Sequence, residues 1–154
     1  MFDAYKASSK VSNLAMDSAL ATAANAVTDK CPHIRYRAVI AAPPGMTADR
    51  FAVYYIGSLP EEQGVMIGRH YRVDVSGDGK FALTVAPSSE TCLVLKPQAI
   101  GEGITGVMTT HRLTPAPSEF HVFLSLLTHE TLYVATKRGM WQVEDGKIQL
   151  LKAS

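Results

Sequence analysis

The sequence predicts an α+β fold: an N-terminal amphipathic helix packed on a mostly antiparallel, meander-like sheet of seven to nine strands, curled into a sandwich or half-barrel. Three observations predict it. Met16, Ala19, Leu20, Ala23 and Val27 recur at the offsets of one helical face. From Ile34 onward, short runs alternate apolar and polar residues, as a half-buried strand requires because successive side chains point to opposite faces. Turn-forming clusters such as Ser76-Gly-Asp-Gly79 and Glu144-Asp-Gly-Lys147 separate the runs.

The chain of 154 residues is expected to form a single domain over 1–154, with a helical N-terminal segment at 1–31 and a β-rich body at 33–152. That length buries a core without the help of a metal or disulfide. A hydrophobic content of 47% with 19% charged residues is that of a soluble globular domain. The formal net charge is +1, and Arg35, Arg37 and Arg50 are the one local basic cluster, so nucleic acid is not an expected partner. No apolar run has the length of a bilayer span. The first residues lack a basic segment followed by an apolar core, which points to the cytoplasm; a chain whose leader had been removed would be periplasmic or secreted. Cys31 and Cys92 fit no zinc-ribbon or redox spacing and read as two unlinked, half-buried thiols. In an exported protein they could pair.

The helix is predicted over residues 10–30. Alanine-rich composition favours it, Ser9 or Ser12 can cap its start, and Pro32 cannot continue its hydrogen-bond ladder. Its flat alanine stripe suits close packing on a sheet or against a second copy of the chain. Strands follow at Ile34–Ile40, ended by Pro43-Pro44-Gly45, and at Phe51–Ile56. Residues 65–75 read as one long strand in which Gly68 hints at a bulge. Phe81, Leu83 and Val85 return as its hairpin partner, and 91–95 is a further strand. A loop spans 96–103, and 104–111 is a strand. Residues 118–129 fit two readings. Ser118 could cap a helix bearing Phe120, Leu124 and Leu127; as a strand, Phe120, Val122, Leu124 and Leu126 share a face, and the strand is preferred. Strands at 132–136, 140–143 and 147–151 complete the chain, joined by the Glu144–Lys147 turn.

Chemistry concentrates at Thr109-Thr-His111 and Ser118-Glu-Phe-His121. This pattern resembles a degraded copy of the JAB/MPN metalloprotease motif, in which a His-x-His strand and a later Ser-x-x-Asp supply zinc ligands and an upstream Glu is the general base. The resemblance spans roughly residues 60–136. It implies His111 and His121 as metal ligands and Glu62 as base, around a zinc whose open position activates water. Thr109 stands where the family has its first histidine and His121 where it has aspartate. The spacing from His111 to Ser118 is about one residue short, and the family has a helix where the strand reading of 118–129 stands. A thiol alternative pairs Cys92 with His111, assisted by Thr91 or Thr109, as in amidohydrolase-type enzymes; Cys92 in the apolar run Thr-Cys-Leu-Val-Leu also reads as core. His70, beside Arg69 and on the face of Arg72 and Asp74, reads as a solvated or salt-bridged sheet residue, and His129 as a turn residue. Tyr54, Tyr55, Tyr71, Tyr133 and Trp141 either fill the core or form an aromatic face for a partner.

The stretch from Thr110 to Leu126, with Leu132-Tyr-Val-Ala-Thr136 and Trp141–Ile148, is similar to an uncharacterised group of small proteobacterial proteins. That resemblance covers about 64–150, implies a bacterial source, and brings no activity with it. No nucleophilic triad, complete ligand set or phosphate loop emerges from the residues. The expected function is therefore a non-catalytic binding or interaction module, with a protein partner or self-association as a homodimer. A divergent metal-dependent hydrolase or a Cys/His amidohydrolase is the alternative. The residues alone require no cofactor; zinc is the ion the JAB/MPN resemblance would add.

Overall fold

A computed structural model describes residues 13–41, 49–96 and 106–154. Ser9 and Ser12, the Pro43-Pro44-Gly45 break, most of the 96–103 loop and the start of the strand predicted at 104 lie outside the described residues. Among the described residues the fold is α+β, with two α-helices and three mostly antiparallel sheets, none of them closed. The chain forms two compact units, residues 1–57 with 71–87 and residues 58–70 with 88–154.

The first unit is a four-stranded sheet under one helix. Helix α1 is Asn13–Ala26, and the sheet order is β1 (Arg35–Ala41), β2 (Arg50–Ser58), β4 (Tyr71–Ser76), β5 (Ala82–Pro87). Its core joins Ala19, Ala23 and Val27 to Phe51, Val53, Tyr55, Tyr71, Val73 and Val75. Val53, Val73 and Val75 are fully buried, each contributing about 1.5–3 kcal/mol of apolar transfer. Tyr55 and Tyr71 belong to this core, and their hydroxyls donate to the carbonyls of Leu20 and Asp29. They are therefore not part of an exposed aromatic face. Ala19 and Ala23 are 0% exposed, so these two alanines pack inside the unit. On the opposite face of the sheet Arg72 pairs with Asp74 at 2.9 Å.

Small residues on α1 admit the β4–β5 turn. Thr22 and Ser18 donate their hydroxyls to the Gly79 carbonyl at 2.6 and 3.1 Å. A Cβ on Gly79 would lie 2.4 Å from the Ala15 carbonyl oxygen, and its φ is +77°. Within the turn, Asp78 accepts from the Ser76 hydroxyl and the Lys80 N–H.

The second unit carries a four-stranded sheet in the order β10 (Lys147–Ala153), β9 (Gly139–Glu144), β8 (Leu132–Thr136), β7 (Val107–Thr110). A two-stranded pair, β3 (Val65–Met66) with β6 (Val94–Leu95), accompanies it. The predicted strand 65–75 is two strands among the described residues, β3 and β4. Arg69 takes a left-handed φ of 56°, and both Ile67 and Gly68 donate their N–H to the Leu93 carbonyl. These break the ladder, so β3 and β4 belong to different sheets. Gly68 is required for close approach: a Cβ there would meet the Ser89 hydroxyl oxygen at 2.5 Å.

The preferred strand at 118–129 is corrected to a helix, α2 (Glu119–Thr128). Strands β7 and β8 run parallel, pairing Val107 with Leu132 and Thr110 with Ala135. Parallel neighbours cannot be joined by a tight turn and need a crossover, which α2 supplies. Its buried residues, Phe120, His121, Leu124 and Ser125, follow helical spacing, whereas Leu126 is 52% exposed. Leu124 packs with Val107, Leu132, Val134 and Val143. The meander is real from β8 to β10, which pair antiparallel. Trp141 opposes Val134 and Tyr133 opposes Gln142, so Trp141 and Tyr133 point to opposite faces of the sheet.

The Gly79→Ala substitution is expected to destabilise the protein by about 2–4 kcal/mol, since a steric clash with α1 adds to backbone strain. Gly146→Ala, at a similar φ of +76° but with its nearest neighbour 3.5 Å away, should cost about 1 kcal/mol. Urea denaturation of both variants measures the difference.

Candidate functional site

His111 sits at the end of β7, and Ser118 and His121 begin α2. The β7–α2 crossover brings the His111 and His121 rings to 4.8 Å between centroids, edge to face. Both are buried, at 4% and 7% exposure. Their hydrogen bonds fix their protons. The Thr114 hydroxyl donates its one proton to the Ala116 carbonyl, so it accepts from His111 Nε2–H at 2.7 Å. The His111 Nδ1 therefore carries a lone pair, and no partner for it exists among the described residues. The Ser118 backbone N–H donates to His121 Nδ1 at 3.0 Å, in a reciprocal capping arrangement at the helix start. Here an imidazole occupies the position that Glu or Gln takes in a capping box. Neutral His121 consequently holds its proton on Nε2.

This proton arrangement decides what His121 can do. A metal takes an imidazole through a nitrogen lone pair. The lone pair of His121 is engaged by the backbone at Ser118, and its other nitrogen is protonated. Ligation through Nε2 would move the proton to Nδ1, against the Ser118 N–H. Glu62 is exposed on the 3-10 turn Glu61–Gln63. Among the described residues, no three His, Cys, Asp or Glu side chains converge in a metal-binding group. The expected set of His111, His121 and Glu62 is thus brought together only in its two histidines.

The thiol alternative is corrected outright. Cys31 and Cys92 are both disulfide-bonded, so neither is the unlinked thiol that was expected. A disulfide sulfur has no thiolate lone pair with which to attack a carbonyl.

His70 is also corrected. It is 0% exposed, not a solvated sheet residue. The left-handed turn at Arg69 precedes it, and its Nε2–H donates to the Met66 carbonyl at 3.0 Å. Its ring stacks on Phe120 and meets the edge of Phe123, with centroids at 5.7 and 6.3 Å. Its backbone N–H donates to the Ser88 hydroxyl. The sequence signal that could have found this residue was the Gly68-Arg69 break before it. His129 ends α2 in a left-handed conformation with φ 55°.

A cleft of about 610 Å³ opens beside these groups, within the range of small-ligand sites. One wall is residues 108–113, which are β7 and its continuation; the other is Ser89, Glu90, Thr91 and Leu93, with Ile67. His111 is the one buried polar side chain on this lining. Thr91 and Thr109, named as assistants to a nucleophile, line the same cleft. The wall formed by 89–93 has no signature in the alternation of 91–95, which predicts a strand there; β6 is only Val94–Leu95.

Burial holds the imidazoles of His70 and His111 below the usual histidine range. Burial and the neighbouring His111 push His121 down to about 4. In the unfolded chain each titrates near 6.5. Above that pH both states are neutral and stability is complete. As pH falls, the unfolded chain takes up protons first, so stability is lost from about 6.5 down through 4. His121 alone accounts for a loss on the order of 3 kcal/mol. His121→Gln keeps an acceptor for the Ser118 N–H but cannot titrate. It should retain stability at pH 7.5 to within about 1 kcal/mol, and its unfolding free energy should fall less between pH 7 and pH 4 than that of the native protein, as read by urea denaturation across that range.

No protein-family model matches the chain, and neither a curated protein nor a solved structure matches it.

Proposed function

We propose that this chain is a non-catalytic binding module of a bacterial system, and that the cleft beside β7 is its recognition site. One observation carries the reading: His111 is almost wholly buried, lines the cleft, and keeps an unpartnered Nδ1 acceptor. Among the described residues no buried side-chain nitrogen or oxygen lacks a hydrogen-bond partner, so this Nδ1 is reached by solvent at the cleft, and a bound donor would take the place of water there. The lining mixes apolar Ile67, Leu93, Met108 and Leu113 with polar Ser89, Thr91, Thr109 and Thr110, so a ligand there would meet both apolar surface and hydrogen-bonding groups. The oxidised state of both cysteines supports a periplasmic or secreted setting.

A metal-dependent hydrolase is the second reading. The observation in its favour is α2 itself, since the JAB/MPN pattern has a helix following the histidine strand. Against it stand the capped Nδ1 of His121 and the position of Glu62 in an exposed turn.

Two measurements test the proposal. Small fragments bearing an N–H or O–H donor, titrated into isotopically labelled protein, should shift the amide signals of Leu93, Thr109 and His111, and His111→Phe should abolish the effect. A collection of such fragments with no binder at the cleft would defeat the reading. Zinc added to metal-free protein should leave the ring signals of His111 and His121 in place; tight uptake of one equivalent at those rings would install the hydrolase instead.

A further inference from the structure

Among the described residues, the cleft wall at 108–113 is an edge of a sheet on which no further strand pairs. Strand β7 ends the order β10-β9-β8-β7. Val107 and His111 donate their N–H groups toward β8, to the carbonyls of Thr131 and Ala135. Backbone groups alternate along a strand, so the N–H and C=O of Met108, Thr110 and Arg112 point the other way, toward the cleft. No described residue bonds to them. Side chains alternate too: Met108, Thr110 and Arg112 are exposed, while Val107 and His111 are buried.

We infer that the cleft takes an extended peptide segment of another protein, which adds as a further strand to the β7 edge. The inference rests on the binding-module reading above and names its ligand. Two features select this chemistry. The unmet groups are peptide N–H and C=O pairs at two-residue spacing, and the ligand that offers matching pairs at that spacing is another extended backbone. The cleft also carries one carboxylate, Glu90, and one guanidinium, Arg112, so its lining has no net charge to favour a polyanion or a polycation. A neutral backbone fits, with an apolar side chain against Ile67 and Leu93 and a donor to His111 Nδ1. The mixed rim then favours peptides carrying charges of both signs at their flanks.

The probe is a synthetic peptide enriched from a random heptapeptide display library against the intact protein. It should shift the amides of Met108, Thr110 and Arg112 and slow their hydrogen exchange. N-methylation of alternate peptide residues should abolish binding, because it removes the backbone donors. Thr110→Pro deletes one outward N–H at an edge position where proline is tolerated. It should weaken the peptide about tenfold while the amides of Val107, Thr109 and His111 keep their exchange protection. Peptides that map elsewhere, bind the N-methylated and Thr110→Pro forms equally well, or fail to enrich would overturn the inference. A concentration-dependent dimer dispersed by Thr110→Pro would also overturn it, assigning the edge to a second copy. If fragments still occupy the cleft through His111 while no peptide does, the peptide assignment falls and the binding-module reading stands.

Discussion

The parallel pairing of β7 with β8 is the constraint from which the second unit follows. Strands that run the same way cannot be linked by a hairpin, so the chain between them must cross over the sheet. That crossing fixes α2, and α2 buries Leu124 against Val107, Leu132, Val134 and Val143. Among the described residues β7 is the last strand of its sheet, with one side bonded to β8, and it lines a cleft. The site is a product of topology before it is a product of side-chain chemistry.

The same crossing accounts for the histidines. A helix that begins next to the end of β7 places His121 beside His111, and burial keeps both neutral. Their roles nonetheless differ. His121 is the acceptor that satisfies the N–H of Ser118 at a helix start, where four backbone donors would otherwise lack partners. His111 donates its Nε2–H to the Thr114 hydroxyl oxygen and keeps a lone pair on Nδ1. Two imidazoles in contact suggest a metal site on residue identity alone. Tracing each proton makes one a cap and the other an acceptor at the wall of a cleft.

The first unit illustrates a different economy of form. Alanines on α1 bury little apolar area individually, yet they let the helix backbone approach the turn at Gly79 closely enough for Thr22 and Ser18 to bond its carbonyl. The turn is therefore held by helix and sheet together. The oxidised cysteines add to these restraints, and a cross-link limits mainly the freedom of the unfolded chain.

The sequence by itself determined what depends on neighbours in the chain. The alanine spacing of Ala19 and Ala23, the alternation of Phe51, Val53 and Tyr55, and the Asp145-Gly146 turn with both residues at positive φ are local properties, and each was legible. Tertiary structure alone decided what depends on residues far apart. Phe120 to Thr128 satisfies either a period of two or a period near 3.6, and only the parallel register of β7 and β8 selects the helix. The burial of His70 depends on a left-handed turn at Arg69 and on Phe120 and Phe123, which lie some fifty residues away. The oxidation of Cys31 and Cys92, and the meeting of residues 108–113 with 89–93 across a cleft, likewise have no local signature. Hydrophobic period and turn propensity act over a few residues, whereas strand order, sulfur pairing and cleft walls are set by contacts that spacing along the chain does not encode.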